Sequence, residues 1–253
     1  MAGLAAITGE CSEEAVLVQG ALDLELQPLV AALEGRREKQ IASWTYWEGR
    51  IGGKQVVVSR TEMGPINAVA ATVLGIEHYS PSLVINQGTA GAHNPGLHLW
   101  DIVLGERTVD YSAYSSTHAD AGASVNPSRW KADPHRLRLD GNAVTSFANF
   151  SGDARAMEVA AKVKNPRGKV VRGTIGSAAQ WNREIDMIAS DRARYGTDSE
   201  DMESAFAHGA AVGLRTRFLA IRMISDSEYN HPTFERIAGK YCAEFVVQVV
   251  RSL

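Results

Sequence analysis

Short apolar segments alternate with segments of helical periodicity along most of this chain, and this alternation restricts the fold more than any other feature. Residues 16–20 form an apolar run ending in glycine, and residues 21–33 then repeat their apolar positions at helical spacing. Residues 82–86 are almost wholly apolar, as is typical of a strand buried on both faces. Strands that alternate with helices predict a largely parallel or mixed sheet covered by helices on both faces.

The other segments follow the same alternation. Two β-rich stretches, residues 44–47 and 55–59, flank a pair of glycines and predict a hairpin. Gly64 and Pro65 begin a helix, because proline is well tolerated in a first turn. The predicted apolar face of this helix consists of Ile66, Val69, Ala70, Val73 and Leu74. A helix, a strand, a helix, a strand and a C-terminal helix are then predicted over residues 154–163, 169–175, 201–212, 218–222 and 233–250.

Residues 110–150 interrupt this pattern. They are rich in Ser, Ala, Asn, Asp and Pro and have no clear period, so we expect a long irregular excursion from the core. The chain contains no evident internal repeat, and 253 residues is a common size for a single α/β unit. We therefore predict one domain over residues 1–253.

Composition and charge argue against several classes of protein. The chain is 45% hydrophobic and 22% charged, which is typical of a soluble globular protein. A net charge of -3 without a run of Lys or Arg argues against nucleic acid and anionic membranes as partners. No apolar run approaches the roughly 18 residues of a membrane span. No signal peptide is recognisable, so we expect a cytoplasmic protein, with a secreted or periplasmic mature form as the alternative.

Metal binding is not expected from the cysteines or histidines. Cys11 and Cys242 stand near opposite ends of the chain and form no metal-binding motif, and whether they pair is left open. The seven histidines show no metal-ligand spacing. We therefore expect neither a metal nor another cofactor.

Four polar segments follow predicted strands, which is where ligands of such folds collect. They are residues 20–25, 88–92, 201–203 and 224–226. Each also has a purely structural interpretation. Glu25 is compatible with a solvated helix acid, residues 88–92 with a tight turn, Glu203 with a first-turn helix acid, and Asp226 with a helix N-cap region. Taken one by one, they leave the function open.

Taken together and in order, the four segments resemble the nucleoside phosphorylase and nucleosidase superfamily of the purine nucleoside phosphorylase type, in particular methylthioadenosine/S-adenosylhomocysteine nucleosidases. The matching segments are Gly20-Ala-x-x-x-Glu25, Asn86-Gln-Gly-Thr-Ala-Gly91, Asp201-Met-Glu203-Ser-Ala205 and Ile221-Arg-Met-Ile-Ser-Asp226. The resemblance covers nearly the whole chain except residues 110–150. It implies a three-layer α/β/α fold with a central mixed twisted sheet, a small-molecule nucleoside substrate and a homodimer.

The resemblance also implies roles for the matched residues. Asp226 is similar to the general acid that protonates purine N7, and Ser225 and Arg222 would position it, with a structural ion pair as the alternative for Arg222. Glu203 is similar to the glutamate that binds the ribose hydroxyls, and Met202 packs against the ribose or belongs to the core.

The remaining substrate-binding candidates surround the expected base. They are Thr89, Ala90 and Gly91 in the middle segment, and Trp181 with Asn182 after a predicted strand. Trp181 falls where related nucleosidases place an aromatic ring on the base, although a core or surface tryptophan is the alternative.

The resemblance favours hydrolysis over phosphorolysis. Glu25 and Gln87 stand where phosphorylases of this superfamily carry the arginines that hold phosphate. A carboxylate repels phosphate but can deprotonate water, so we predict Glu25 as the general base of a hydrolase acting on 5′-methylthioadenosine and/or S-adenosylhomocysteine. Arg60 could still supply a cation, which keeps a phosphate-dependent purine nucleoside phosphorylase as an alternative. A non-catalytic storage or nucleobase-binding protein is the other alternative. Residues 110–150 are a candidate cover for the 5′ side of the site, and their role is left open.

Overall fold

The computed structural model describes residues 15–141 and 143–253. This part of the chain contains fourteen β-strands, six α-helices and a short 3-10 helix, Pro127–Arg129. The strands are β1 (Val16–Gly20), β2 (Glu34–Ile41), β3 (Trp44–Ile51), β4 (Lys54–Arg60), β5 (Leu83–Ala92), β6 (Ile102–Asp110), β7 (Tyr114–Ser115), β8 (Lys131–Ala132), β9 (His135–Asp140), β10 (Ala143–Phe147), β11 (Phe150–Ser151), β12 (Val170–Ser177), β13 (Ser199–Asp201) and β14 (Arg217–Asp226). The helices are α1 (Asp23–Ala32), α2 (Pro65–Tyr79), α3 (Ala154–Ala160), α4 (Ile185–Tyr195), α5 (Ser204–Gly213) and α6 (Ile237–Ser252).

Ten of the described strands form one mixed sheet. Its hydrogen-bonded order is β11-β6-β12-β13-β5-β1-β4-β3-β2, and β14 pairs with both β5 and β6. Strand β1 runs parallel to β4 and β5, whereas β3 runs antiparallel to β2 and β4. Because β14 connects β5 to β6, the strands β5, β13, β12, β6 and β14 close into a ring. The sheet is therefore open at the β2 end and barrel-like around β14.

Helices cover both faces of this sheet. Helices α1, α3 and α6 form one layer, and α2 and α5 form part of the other. Successive residues of β1 alternate between the two cores: Val16 and Val18 belong to the cluster under α6, and Leu17 belongs to the cluster under α2. This alternation follows from the two-residue period of a strand. The predicted three-layer α/β/α fold is confirmed.

Most of the predicted elements are present, with changes at their ends. The hairpin is β3 and β4, and the apolar run at residues 82–86 extends through residue 92, so residues 88–92 continue β5 and do not form a turn. Outside residues 110–151, four elements were not predicted from the sequence: β2, β6, α4 and β13. No helix in the described ranges is long and apolar enough to cross a membrane. Cys242 is buried in α6, and Cys11 lies outside the described residues.

The predicted apolar face of α2 is wrong. The buried residues of this helix are Ala68, Ala71, Thr72, Gly75 and Ile76. The side that carries Ile66 and Val69 faces outward, and Ile66 is 83% exposed. The reason is close packing: a Cβ built on Gly75 would lie 2.7 Å from a methyl group of Leu17, so the helix approaches the sheet through its small residues.

Residues 110–150 leave the ten-stranded sheet, as expected, but they are more regular than predicted. Strands β7 and β8 form one two-stranded antiparallel sheet, and β9 and β10 form another. The rings of Tyr114 and Trp130 stack with their centroids 4.1 Å apart. The chain returns to the main sheet at β11, where Phe150 is buried.

Candidate active site

A cavity of about 190 Å³ opens at the carboxyl ends of β5, β12, β13 and β14. Ligands of open α/β sheets bind at such strand ends. The lining residues are Ala21, Leu22, Glu25, Met63, Thr89, Ala90, Gly91, Gln180, Trp181, Glu200, Asp201, Met202, Glu203, Arg222, Ser225, Asp226 and Phe234. Ten of the eleven site residues predicted from the sequence are among them, and Asn182 is not.

Glu25 lies in the first turn of α1 and is buried. Its Oε2 accepts hydrogen bonds from the backbone N–H groups of Ala21 and Leu22, at 2.8 and 3.0 Å. Its Oε1 accepts from the backbone N–H and the hydroxyl of Thr89, at 3.0 and 3.3 Å. These four donors fix the carboxylate at the cavity wall. Glu25 is therefore not the solvated helix acid of the alternative interpretation.

Glycine is required at position 88 by the space around Glu25. A Cβ built on Gly88 would lie 2.6 Å from both Glu25 Oε1 and Arg222 Nη1. Real side chains do not tolerate such a distance, and both neighbouring groups are held by other contacts. Gly88 therefore allows the carboxylate and the guanidinium to meet above β5.

Glu203 is the residue immediately before α5 and is also buried. Its Oε1 accepts a hydrogen bond of 2.9 Å from the backbone N–H of Gly64, and its Oε2 lies 3.6 Å from Arg222 Nη1. Burial raises the pKa of the Glu203 carboxyl to about 7; the charge of Arg222 opposes this shift, and the negative charges of Asp201 and Glu25 add to it. The carboxylate is thus held between α2 and β14 with its edge on the cavity.

Arg222 is fully buried and connects several elements. Its Nε lies 2.6 Å from Asp201 Oδ2, and both Nε and Nη2 donate to the hydroxyl of Ser204. Nη2 also donates to the side-chain oxygen of Asn86. None of these partners is Asp226. Arg222 therefore forms the structural ion pair that was the alternative interpretation, and its predicted role of orienting Asp226 is wrong. The physical reason is that its guanidinium extends toward Asp201 and Glu203, where two buried carboxylates compensate its charge.

Asp226 ends β14 and is buried at the cavity. The hydroxyl of Ser225 donates a 2.6 Å hydrogen bond to Asp226 Oδ1. Ile224 pairs with Ala90 and Asp226 with Gly91, so Ser225 is an extra residue in a bulge, a feature that often re-aims side chains beside active sites. Burial raises the pKa of Asp226; Ser225 opposes the shift, and the negative charges of Glu200 and Glu228 add to it. Asp226 is therefore a carboxyl group biased toward its protonated form.

Trp181 lines the mouth of the cavity and is 60% exposed. Its ring packs edge-to-face against Phe234, with the centroids 5.5 Å apart. The side chain of the adjacent Asn182 binds the local backbone and does not line the cavity, because its side-chain oxygen accepts a hydrogen bond from the backbone N–H of Glu184. The predicted binding role of Asn182 therefore has no support from its position.

Sequence reasoning missed Glu200 and Phe234 as cavity residues. Glu200 is a buried carboxylate one residue before the matched Asp201-Met202-Glu203 segment. No sequence signal identified it, because the short strand β13 that carries it was not predicted. Phe234 lies in an irregular stretch before α6, and no sequence pattern indicated its contact with Trp181.

Contrary to expectation, neither Arg60 nor any described residue of the segment 110–150 lines the cavity. The guanidinium of Arg60 lies 3.0 Å from Asp23 and 3.1 Å from Glu62, and Arg60 is not a lining residue. No described residue of the segment 110–150 lines the cavity either, so its expected contact with the 5′ side is absent from this chain's own cavity. Within the described ranges, three or more His, Cys, Asp or Glu side chains do not cluster as metal ligands do.

Comparison with known proteins gives the same family over the whole described chain. A family model described as "Phosphorylase superfamily" matches residues 15–251. The 5'-methylthioadenosine/S-adenosylhomocysteine nucleosidases of Bacillus licheniformis and Geobacillus kaustophilus are each 26% identical to this chain. These alignments cover 94% and 91% of this chain, and 99% and 94% of the two relatives.

Solved structures share the fold. The 5'-methylthioadenosine/S-adenosylhomocysteine nucleosidase from Neisseria meningitidis, in complex with methylthio-immucillin-A, superposes with a TM-score of 0.77 at 24% identity, covering 95% of this chain and 100% of that chain. Futalosine hydrolase of Helicobacter pylori superposes with a TM-score of 0.75 at 16% identity, covering 95% and 99%. At these identities the similarity establishes the architecture, and the cavity chemistry has to be argued from this chain's own residues.

Proposed function

Since this chain belongs to the phosphorylase superfamily, we propose that it hydrolyses the N-glycosidic bond of an adenine nucleoside, 5′-methylthioadenosine and/or S-adenosylhomocysteine. The observation that carries the proposal is the placement of three buried carboxyl groups, those of Glu25, Glu203 and Asp226, around one cavity. The names of the relatives support the choice of substrate. The proposed reaction releases free adenine and the free sugar.

Asp226 is the proposed general acid. Breaking the glycosidic bond leaves the bonding electrons on the purine, so a proton delivered to N7 stabilises the leaving base. Burial raises the pKa of Asp226, which favours retention of that proton, and the bond from Ser225 to Oδ1 holds its orientation. Acids whose pKa is raised by burial do the same work in other hydrolases.

Glu203 is the proposed ribose anchor. Its carboxylate accepts hydrogen bonds from the 2′ and 3′ hydroxyls, and its negative charge favours the positive charge that develops on the sugar. The N–H of Gly64 and the guanidinium of Arg222 hold the carboxylate in place. Met202, the adjacent residue, completes the wall beside it.

Glu25 is the proposed general base for water. A water oxygen attacks the anomeric carbon while one of its protons passes to the Glu25 carboxylate. Of its four donors, the Thr89 hydroxyl is the most distant, at 3.3 Å from Oε1. Water therefore competes best at Oε1, the oxygen closest to β5.

The one cation among the described residues that line this cavity offers phosphate little uncompensated charge. A phosphate dianion leaving water needs fixed positive charge. Arg222 is the only Lys or Arg among the described residues that line the cavity, and Asp201 and Glu203 already compensate it. Arg60 is paired with Asp23 and Glu62. These pairings favour hydrolysis over phosphorolysis.

The outward side of α2 supports a homodimer as part of the proposal. Met63 is 57% exposed and Ile66 is 83% exposed, and Val69 continues this apolar stripe one turn further. Contiguous exposed apolar surface of this kind marks interaction sites. Met63 also lines the cavity, so a second copy packed on this stripe would lie beside the substrate.

The test is the release of adenine from 5′-methylthioadenosine by the purified protein, in phosphate-free buffer and with added phosphate, with the sugar product identified. We expect adenine and free methylthioribose at equal rates in both buffers. A sugar 1-phosphate formed only with phosphate would identify a phosphorylase. Binding of adenine without cleavage of any purine nucleoside would favour the non-catalytic protein.

A further inference from the structure

Two carboxylates approach the cavity from strands on opposite sides of β5. Gly91 of β5 pairs with Glu200 of β13 on one side and with Asp226 of β14 on the other. A Cβ built on Gly91 would lie 3.5 Å from Glu200 Oε1 and 3.5 Å from Asp226 Oδ2. At most twice that distance separates the two oxygens, and both side chains line the cavity. Gly91 therefore leaves open a space flanked by two acids.

The Glu200 carboxylate is contacted by two side chains that do not line the cavity. The hydroxyl of Tyr111 donates a hydrogen bond to Glu200 Oε2, and the Nε2 of the buried His93 lies 3.1 Å from the same oxygen. His93 is fixed in turn by a 2.7 Å contact between its Nδ1 and the hydroxyl of Thr197. Among the described residues, the side-chain contacts of Glu200 are thus on Oε2, and Oε1 is left on the Gly91 side.

The two acids differ in their hydrogen-bonding character. Glu200 accepts a hydrogen bond from Tyr111 at Oε2, and a carboxylate offers its second oxygen, Oε1, as a further acceptor. Asp226 has one hydroxyl partner and carries the proton of the proposed reaction, which makes it a donor. The cavity wall therefore presents a donor beside an acceptor.

A 6-aminopurine has the complementary pattern. Along one edge of adenine, N7 is an acceptor and the neighbouring 6-amino group is a donor, whereas guanine presents two acceptors, N7 and O6, on the same edge. With N7 at Asp226 and the six-membered ring on the β13 side, the substituent at position 6 would face Glu200. A carboxylate accepts from the amino group but repels a carbonyl oxygen, and a buried acceptor left without a donor is costly.

We propose that Glu200 is a specificity-determining residue that accepts a hydrogen bond from the exocyclic amino group of the purine and so selects 6-aminopurine over 6-oxopurine nucleosides. This inference rests on the proposed function for the placement of N7 at Asp226. It assigns base selection to a residue outside the four segments that carry the family resemblance.

The experiment compares 5′-methylthioadenosine with 5′-methylthioinosine in the wild-type protein, in Glu200→Gln and in a matched control. The measured quantity is the ratio of kcat/KM for the amino substrate to that for the oxo substrate. Glu158→Gln is the control, because Glu158 lies on α3 in an exposed pair with Arg172 and is not a cavity residue. Circular dichroism and thermal unfolding establish that each variant is folded.

We expect the ratio to be large in the wild type and in Glu158→Gln, on the order of 100 or more, because sites built to bind a donor strongly reject analogues without it. In Glu200→Gln it falls by at least about tenfold, since an amide can turn its N–H toward O6. A folded Glu200→Gln protein with the wild-type ratio would overturn the proposal.

A second measurement uses binding alone, in the wild type and in Glu200→Gln. Calorimetry compares adenine with unsubstituted purine, which has the same ring system but no 6-amino donor. We expect the wild type to bind adenine at least about tenfold more tightly, and equal affinity would refute the role of Glu200. This binding test also separates the two proposals. If no nucleoside is cleaved but adenine is preferred in a Glu200-dependent manner, the proposed function fails and the inference on Glu200 stands.

Discussion

At the scale of single residues, the surroundings of Asp226 and Glu25 assign opposite roles to two buried carboxyl groups. Glu25 accepts hydrogen bonds from three backbone N–H groups and one hydroxyl, which fix its orientation at the cavity. Burial raises the pKa of Asp226, and the nearby acids Glu200 and Glu228 add to the shift, although the hydrogen bonds from Ser225 and Trp181 oppose it. A raised pKa is the property that a general acid needs.

The proposed acid is tested by Asp226→Asn. An asparagine keeps the shape of the side chain but has no acidic proton, so we expect turnover to fall by about 10²–10⁴-fold while adenine still binds. In the wild type, kcat/KM should decrease as pH rises through the raised pKa of Asp226, because only the protonated form is active. This alkaline decrease should be absent from the residual activity of the variant. Near-normal turnover of Asp226→Asn would show that another group supplies the proton.

Most of the residues that line the cavity were predicted through the resemblance of four segments to a known superfamily, and these segments lie at strand ends that the fold brings to one edge. Glu200 escaped prediction because its importance depends on Gly91 and Asp226, which become its neighbours only through strand pairing. Arg222 was given the wrong partner for the same reason. The direction in which the Arg222 side chain extends from β14 is set by Asn86, Asp201 and Ser204, which lie on three other elements.

At the scale of elements, sequence periodicity predicted those with a continuous apolar run or stripe and missed those without one. Strands β5 and β14 are apolar over most of their length. Helix α4 buries only Ile188 and Asp191 among its described residues, so its apolar periodicity is too weak to predict a helix. Strand β6 contains Gly105 and a register irregularity opposite Gly173, and these break the apolar run that would have revealed it.

Helix α2 provides the test of the proposed dimer. Ile66→Glu places a charge in the middle of the exposed apolar stripe, so we expect the dimer to dissociate to monomer while the fold is retained. Light scattering coupled to size-exclusion chromatography measures the mass directly. Glu77→Ala is the matched control, since Glu77 is an exposed residue near the other end of the same helix. If Ile66→Glu and the wild type have the same mass, the apolar stripe is not a contact between copies.

At the scale of the whole molecule, Arg222 connects the catalytic cavity to the stability of the fold. Removing one partner of a buried ion pair leaves uncompensated charge, so we expect Arg222→Met to lower the free energy of unfolding by about 3–5 kcal/mol. Urea denaturation measures this change. The control, Arg172→Met, breaks an exposed pair with Glu158 and should cost less than about 1 kcal/mol. Equal losses in the two variants would mean that Arg222 is not essential to the core.

The closed ring of strands around β14 has a consequence for how the protein behaves at high concentration. A sheet that closes on itself has fewer free edges, and free edges are templates for aggregation. The described path through this sheet ends at β11, which has two residues, and at β2, whose first seven residues are exposed and include Arg36, Arg37, Glu38 and Lys39. One edge is too short to recruit another strand, and the other has dense charge along it. The ring of strands around β14 is thereby shielded from the intermolecular strand pairing that leads to amyloid.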